Sequence, residues 1–171
     1  MEAMKALLTR RVARSFSERP VELDSLKQIV DAGRHAMSAR NLQPWIFLII
    51  RNRDTLRQLG ALCSSGRLLS DAPSAVAVLK DLGNKRWADI DCAQAVQNMA
   101  VAAWSIGLAT CWVGNFEVDA INRLLAIPAS HGIFTILPFG YPKEGERPQL
   151  GAFKRRAETV FLERYGEPLK D

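Results

Sequence analysis

Between Cys92 and Phe116 the chain carries no formally charged residue, and this run constrains the fold more than any other feature. A bilayer-spanning helix needs about 20 consecutive apolar residues, so a membrane is the first possibility to weigh. Gln94, Gln97, Asn98, Ser105, Thr110 and Asn115 interrupt the run, and Gly107 breaks its C-terminal part. A helix that is apolar nearly all round yet dotted with amides belongs inside a protein, not in lipid. The expectation is a long buried helix from about Trp87 to Leu108 and no membrane partner. Met1–Lys5 carries a carboxylate and lacks the apolar stretch of a secretory leader, which points to the cytoplasm.

Around this helix the hydrophobic period alternates between two patterns. Leu23, Leu26, Ile29 and Val30 recur at helical spacing and predict a helix from Leu23 to Met37. Asn52 or Asp54 caps a second helix reaching about Cys63, after which Ser65-Gly66 begins a loop. Val118, Ile121, Leu124 and Leu125 mark another helix, stopped before Pro128. Trp45–Ile50, Ser74–Leu79, Thr110–Val113 and Ile133–Phe139 are short apolar runs of buried-strand character. Strands alternating with helices indicate an α/β or α+β domain with a sheet of four or five strands. At 171 residues, with no repeat and no linker, residues 1–171 form a single domain.

Several chemistries are disfavoured. Cys63, Cys92 and Cys111 are odd in number and widely spaced, and His35 and His131 are the only imidazoles. No disulfide framework and no metal site is therefore expected. Neither GxGxxG nor GxxxxGK[ST] occurs, so a bound phosphate must rest on side-chain cations or helix ends. The net charge of +5 favours anionic partners. Arg10, Arg11 and Arg14 precede Phe16, and Lys154, Arg155 and Arg156 follow Phe153. Arg10 and Arg14 would share one face if their stretch were helical. Guanidinium groups grip phosphate bidentately, although either cluster could equally be a solvated surface. Ser38-Ala39-Arg40-Asn41-Leu42-Gln43-Pro44-Trp45 joins helix to strand with small and amide residues that can donate to a ligand. Pro44 favours an extended Gln43. Neither histidine stands in a context that suggests a general acid.

These segments together resemble the FMN-dependent nitroreductase family over nearly the whole chain. Arg10–Phe16 is similar to that family's RRSxRxF signature, and Ser38–Trp45 to its SAxNxQPW segment. Asp91–Met99 with Gly107–Gly114 resembles its central helix and glycine turn. Pro138-Phe139-Gly140-Tyr141-Pro142 resembles PxGYP, and Arg164-Tyr165-Gly166 resembles the closing RWG. Each motif is weak to moderate alone; five in order are specific.

The resemblance implies an α+β, three-layer α/β/α sandwich with a mostly antiparallel sheet of four or five strands, assembled as an intertwined homodimer. It implies FMN at the subunit interface and NAD(P)H as electron donor. Hydride would pass through the flavin in a ping-pong cycle to a nitroaromatic or quinone, or to a narrower acceptor in a specialised reductase or dehalogenase. By motif, Arg10 and Arg11 would hold the phosphate and ribityl end, and Arg14 the pyrimidine edge. Ser38, Ala39, Arg40 and Asn41 would come from the partner subunit. Val113 and Gly114 would lie by the flavin N5, with the Gly114 amide as donor. Lys154, Arg155 and Arg156 fall at the family's C-terminal phosphate ligands, within a one-residue ambiguity. Val12 replaces the family serine, leaving only its backbone amide. The flavin carries the reaction, so no catalytic side chain is assigned. Arg67 lies near a flavin-edge position and stays outside the set. The connection Asp81–Arg86 is too short for the helical excursion of larger members, which implies an open pocket. A basic nucleic-acid-binding module would need aromatics interleaved with the cations, and only Phe16 and Phe153 qualify.

Overall fold

A computed structural model describes residues 2–84, 86–143, 145 and 153–168. In chain order it contains α1 (Ala3–Thr9), α2 (Leu23–Arg34), β1 (Trp45–Ile50), α3 (Arg53–Ala61), α4 (Gly66–Asp71), β2 (Ser74–Asp81), α5 (Ala88–Ser105), β3 (Ala109–Thr110), α6 (Val118–Leu124), β4 (His131–Gly140) and α7 (Arg156–Thr159). The four strands form one sheet in the order β1-β2-β4-β3, and every ladder in it is antiparallel.

The layers follow from side-chain alternation in the central strands. Val76, Val78, Leu137 and Phe139 face one way, onto Leu26 and Ile29 of α2 and Cys92, Val96 and Met99 of α5. Ala75, Ala77, Leu79 and Ile136 face the other way, onto Leu56, Leu59, Leu69 and Ile121 of α3, α4 and α6. Both faces of β2 are thus covered, which is why Ser74–Leu79 reads as a continuous apolar run. The result is the expected α/β/α sandwich of α+β type.

Within α5, Ala88, Asp91, Cys92, Ala95, Val96, Met99, Ala100 and Ala103 are all buried. Its lack of charge is therefore explained first by the chain's own core, against α2 and the sheet. At Gly33 of α2 a Cβ would lie 2.8 Å from Met99 Cγ, so the two helices meet through a glycine notch.

The structure departs from the sequence expectations in five places. The N-terminus forms α1, which stops at Thr9, so Arg10–Arg14 is extended and Arg10 and Arg14 do not share a helical face. Ser65-Gly66 begins α4 instead of a loop. Helix α2 ends at Arg34, short of Met37, and the expected strand Thr110–Val113 is Ala109–Thr110 followed by a lone Val113–Ile136 bridge. Gln43 has φ +48°, outside the extended region that Pro44 was expected to impose.

Candidate functional site

The N-terminal arm is placed by pairing with residues about a hundred positions away. Arg10 caps α1, its amide donating to Ala6 O at 2.9 Å. Val12 then bridges Thr110 in parallel, and the Ala13 amide donates to Thr110 O at 3.3 Å. Further along, Phe16 bridges Pro142 and the Ser17 amide donates to Tyr141 O at 2.9 Å. Gly140 makes this possible: a Cβ there would stand 2.8 Å from the Phe16 ring. The Arg10–Arg14 segment is therefore strapped across β3 and the end of β4.

Two hollows flank this strap. The first, of about 190 Å³, is lined by Arg10, Val12, Ala93, Gln97, Cys111 and Trp112 among others. Its walls are apolar apart from Arg10, Gln97 and Thr110. The Arg10 Nε is sealed from solvent and has no hydrogen-bond partner among the described residues. A buried unpaired donor costs about 1–3 kcal/mol, and a donor of this kind suits an anion. The Val12 amide makes no backbone hydrogen bond among the described residues, so it too remains available as a donor.

The second hollow, of about 320 Å³, is lined by Arg14, Ser15, Phe16, Arg67, Asp71 and Lys143. Arg67 pairs loosely with Asp71 at 3.5 Å and is almost fully exposed. Three cations face one carboxylate there. Arg67 and Lys143 are the residues that the sequence reading did not place. The only signal for Arg67 was its approximate alignment, and Lys143 had none, because it reaches the site from the loop after β4.

Val113 is buried, exchanging hydrogen bonds with Ile136 at 3.1 and 3.3 Å. Gly114 follows it on the surface, and its amide enters no backbone hydrogen bond among the described residues. The turn is held from the far side by Ser64, whose amide donates to Asn115 O at 3.1 Å, and by the Cys63–Phe116 bridge. Trp112 meets Phe134 edge-on at 5.4 Å; Phe134 is the residue that the β2–β4 register skips.

The loop Ser38–Pro44 is a separate structure. Ala39–Asn41 is a 3₁₀ turn in which Arg40 and Asn41 have φ +54° and +55°, with Gln43 at +48°. Left-handed backbone at a residue other than glycine costs about 1 kcal/mol or more each. The loop meets this cost with local bonds. Gln43 N donates to Ser38 Oγ at 3.0 Å, and Gln43 Nε2 donates to Asn41 Oδ1 at 3.1 Å. Arg40 and Asn41 are exposed.

Lys154, Arg155 and Arg156 are exposed and line neither hollow. Arg155 Nε instead pairs with Glu158 at 2.8 Å. Within one chain the Lys154–Arg156 cluster thus stays out of both hollows. Neither histidine lines the hollows: His35 Nδ1 bonds Asp31 O at 2.7 Å and His131 Nδ1 meets Ser130 Oγ at 2.9 Å.

The cysteines are unpaired and held as thiols. Burial pushes Cys63 up to about 11. Burial, reinforced by Asp89 and Asp91, pushes Cys92 up to about 12. Burial raises Cys111 as well, with the Arg14 guanidinium opposing it. The folded state favours the protonated thiols, so this contribution to stability is complete below the ordinary thiol pKa of about 8.5. It is lost as pH rises from there through the folded values. At pH 8 the folded protein is expected to resist thiolate-directed alkylation at all three positions, while the denatured chain reacts at each. Mass spectrometry reads the labels, and rapid labelling of folded Cys63 or Cys92 would contradict the assignment.

This arrangement has counterparts among known proteins. The sequence pattern of the nitroreductase family matches residues 7–68 and, in an overlapping segment, 64–141. A protein of Methanothermobacter thermautotrophicus provisionally named NADH dehydrogenase/NAD(P)H nitroreductase is 34% identical over 152 residues, spanning 84% of this chain and 79% of its own. A crystal structure of a like-named protein from Parabacteroides distasonis superposes with a TM-score of 0.86 at 26% identity, covering 95% of this chain and 98% of that one. An FMN-dependent nitroreductase from Clostridium difficile shares the fold, with a TM-score of 0.84 at 22% identity over 95% and 99% of the two chains.

Proposed function

This chain belongs to the nitroreductase family, and on that premise we propose that it binds FMN at the Arg10–Arg14 strap. There it moves two electrons from NAD(P)H to a small organic acceptor such as a nitroaromatic or quinone. One observation carries the reading: the sealed Nε of Arg10, without a partner among the described residues, on the wall of an otherwise largely apolar hollow. A phosphate-bearing, largely flat aromatic cofactor answers both halves of that site.

Bound there, FMN supplies the redox chemistry, accepting hydride from the nicotinamide and releasing it to the acceptor. The protein's residues position and polarise. Arg10 and Arg11 hold the phosphate and ribityl end, with the Val12 amide beside them. Arg14 puts a fixed positive charge at the pyrimidine edge, where it stabilises negative charge; Arg67 and Lys143 share its cleft. Val113 anchors the turn that presents the Gly114 amide, and glycine lets the backbone come close to a ring. No side chain is assigned as a general acid.

The proposal includes a homodimer, with Ser38, Ala39, Arg40 and Asn41 reaching the partner's cofactor. Met4, Leu7 and Leu8 of α1, Met37, Leu42, Ile90 and Trp112 are exposed apolar side chains on the single chain, surface that a partner subunit would cover. The meeting of Lys154, Arg155 and Arg156 with the phosphate belongs to the dimer in this reading. A cytoplasmic setting suits the unpaired thiols.

The purified protein is expected to be yellow, with the two visible bands of oxidised flavin and about one FMN per chain. NADH or NADPH should bleach it, and nitrofurazone or menadione should restore the colour. A colourless protein that takes up no FMN on titration would end the proposal. Bleaching without recovery by any acceptor in a broad panel would instead point to a specialised reductase.

A further inference from the structure

At its start the strained loop over Ser38–Pro44 has a long-range polar latch. The Ala39 amide donates to both carboxylate oxygens of Asp91 at 3.2 Å, across 52 positions of sequence. Asp91 lies in the first turn of α5 and is 2% exposed. Among the described residues no cation pairs with it. A buried carboxylate without a cation is costly unless hydrogen bonds or dipoles satisfy it. Here the N-terminal end of α5 and the Ala39 amide do so.

We propose that Asp91 is a positioning residue that holds the Ser38–Asn41 loop in its left-handed conformation and so presents Arg40 and Asn41 to the cofactor. The local bonds of the loop close it upon itself, and the Asp81 amide, donating to Pro44 O at 2.9 Å, fixes only its last residue to the sheet. The Ala39–Asp91 bond fixes its first turn, tying it to α5. A loop of this kind, left unlatched, relaxes toward the ordinary backbone regions, because several of its residues lie outside them. Arg40 and Asn41 would then sample many directions, and each binding event would have to order them again. Asp91 itself touches no cofactor in this scheme; it acts through Ala39.

The inference rests on the reading that this loop contacts FMN, so the test has one arm independent of FMN. In the apoprotein, hydrogen exchange of the amides of residues 39–43 is expected to accelerate at least tenfold in Asp91→Leu, which removes the acceptors. It should remain near the parent rate in Asp91→Asn, which keeps one acceptor. In the FMN titration, Asp91→Leu is expected to raise Kd about tenfold or more, and Asp91→Asn less than about threefold. Ala39→Pro removes the same hydrogen bond from the donor side. Ser38 is extended at φ −141°, ψ 151°, as the residue before proline requires, and Ala39 opens the turn, where proline fits. Adding Asp91→Leu to Ala39→Pro should therefore change neither exchange nor Kd further. Ala39→Pro also serves alone if Asp91→Leu does not fold. Unchanged exchange in both single variants overturns the latch. Equal damage from Asp91→Asn and Asp91→Leu overturns it too, because that would mean the charge and not the hydrogen bond matters. Faster exchange with unchanged FMN affinity keeps the latch but removes its role toward the cofactor. Failure of the parent protein to bind FMN strikes the proposed function instead.

Discussion

Arg10→Ala is expected to weaken FMN binding by about 10- to 100-fold while shifting the melting temperature of the apoprotein by no more than a few degrees. A hydrogen bond to a charged group is worth about 1.5–3 kcal/mol, and each tenfold in affinity is about 1.4 kcal/mol. The apoprotein behaves differently because the Arg10 Nε is already sealed without a partner among the described residues. Removing it relieves a desolvation cost of about 1–3 kcal/mol, which offsets the packing lost with the aliphatic stem. Stability and affinity therefore separate in this variant. Fluorescence titration gives the affinity, and melts with and without FMN give the stability. Arg10→Lys should recover only part of the binding, since an ammonium cannot reproduce the planar fork. An unchanged Kd in Arg10→Ala would remove Arg10 from the phosphate site.

Gly66→Ala is expected to destabilise the protein by about 3 kcal/mol or more. A Cβ at this position would fall 2.0 Å from Gly60 O and 2.8 Å from Gly60 C. These are backbone atoms of α3, so no side-chain rotation relieves the clash; α3 and α4 must separate. Alanine is the better helix former by up to about 1 kcal/mol, which falls short of the steric cost. For a chain of this size the melting temperature should fall by about 6–12 °C. Gly107→Ala is the control. Its Cβ would meet nothing within 4 Å, but its φ of +83° disfavours any side chain, so it reads conformational strain alone, about 1 kcal/mol. If Gly66→Ala costs no more than Gly107→Ala, the close helix contact is not what the glycine serves. Because α4 carries Arg67 into the cleft of Arg14, the same substitution should disturb that cleft.

The elements that were legible beforehand are those whose burial is simple. Strands β1, β2 and β4 are apolar runs, α2, α3 and α6 are amphipathic and α5 is uncharged after its first turn, so these patterns find them. Asn52 caps α3 as expected, accepting from the Thr55 amide at 2.9 Å. The misses have a common cause. Gly66 looks like a helix breaker, yet its missing side chain serves the approach of α3. Gln43 precedes proline, yet a bond from its amide to Ser38 Oγ holds it at positive φ. In each case a specific tertiary or side-chain contact outweighs a residue preference of about 1 kcal/mol.

The candidate site divides the same way. Arg10, Arg14, the Ser38–Asn41 segment and Val113-Gly114 could be named from residue types and motif order, because a donor or a tolerant glycine is a property of the residue itself. Their assembly could not. The strap depends on Val12 pairing with Thr110 and on Phe16 lying against Gly140. The second cleft depends on Arg67 of α4 and Lys143 of the loop after β4 converging on Arg14. The loop geometry depends on Asp91 across 52 positions. One chain in isolation determined its layers, its long uncharged helix and its inventory of cations, since these follow from side-chain period and solvation. Only the folded arrangement decided which cations share a hollow and which stay apart. Such meetings between distant segments depend on sheet register and close backbone contacts, which no local pattern encodes.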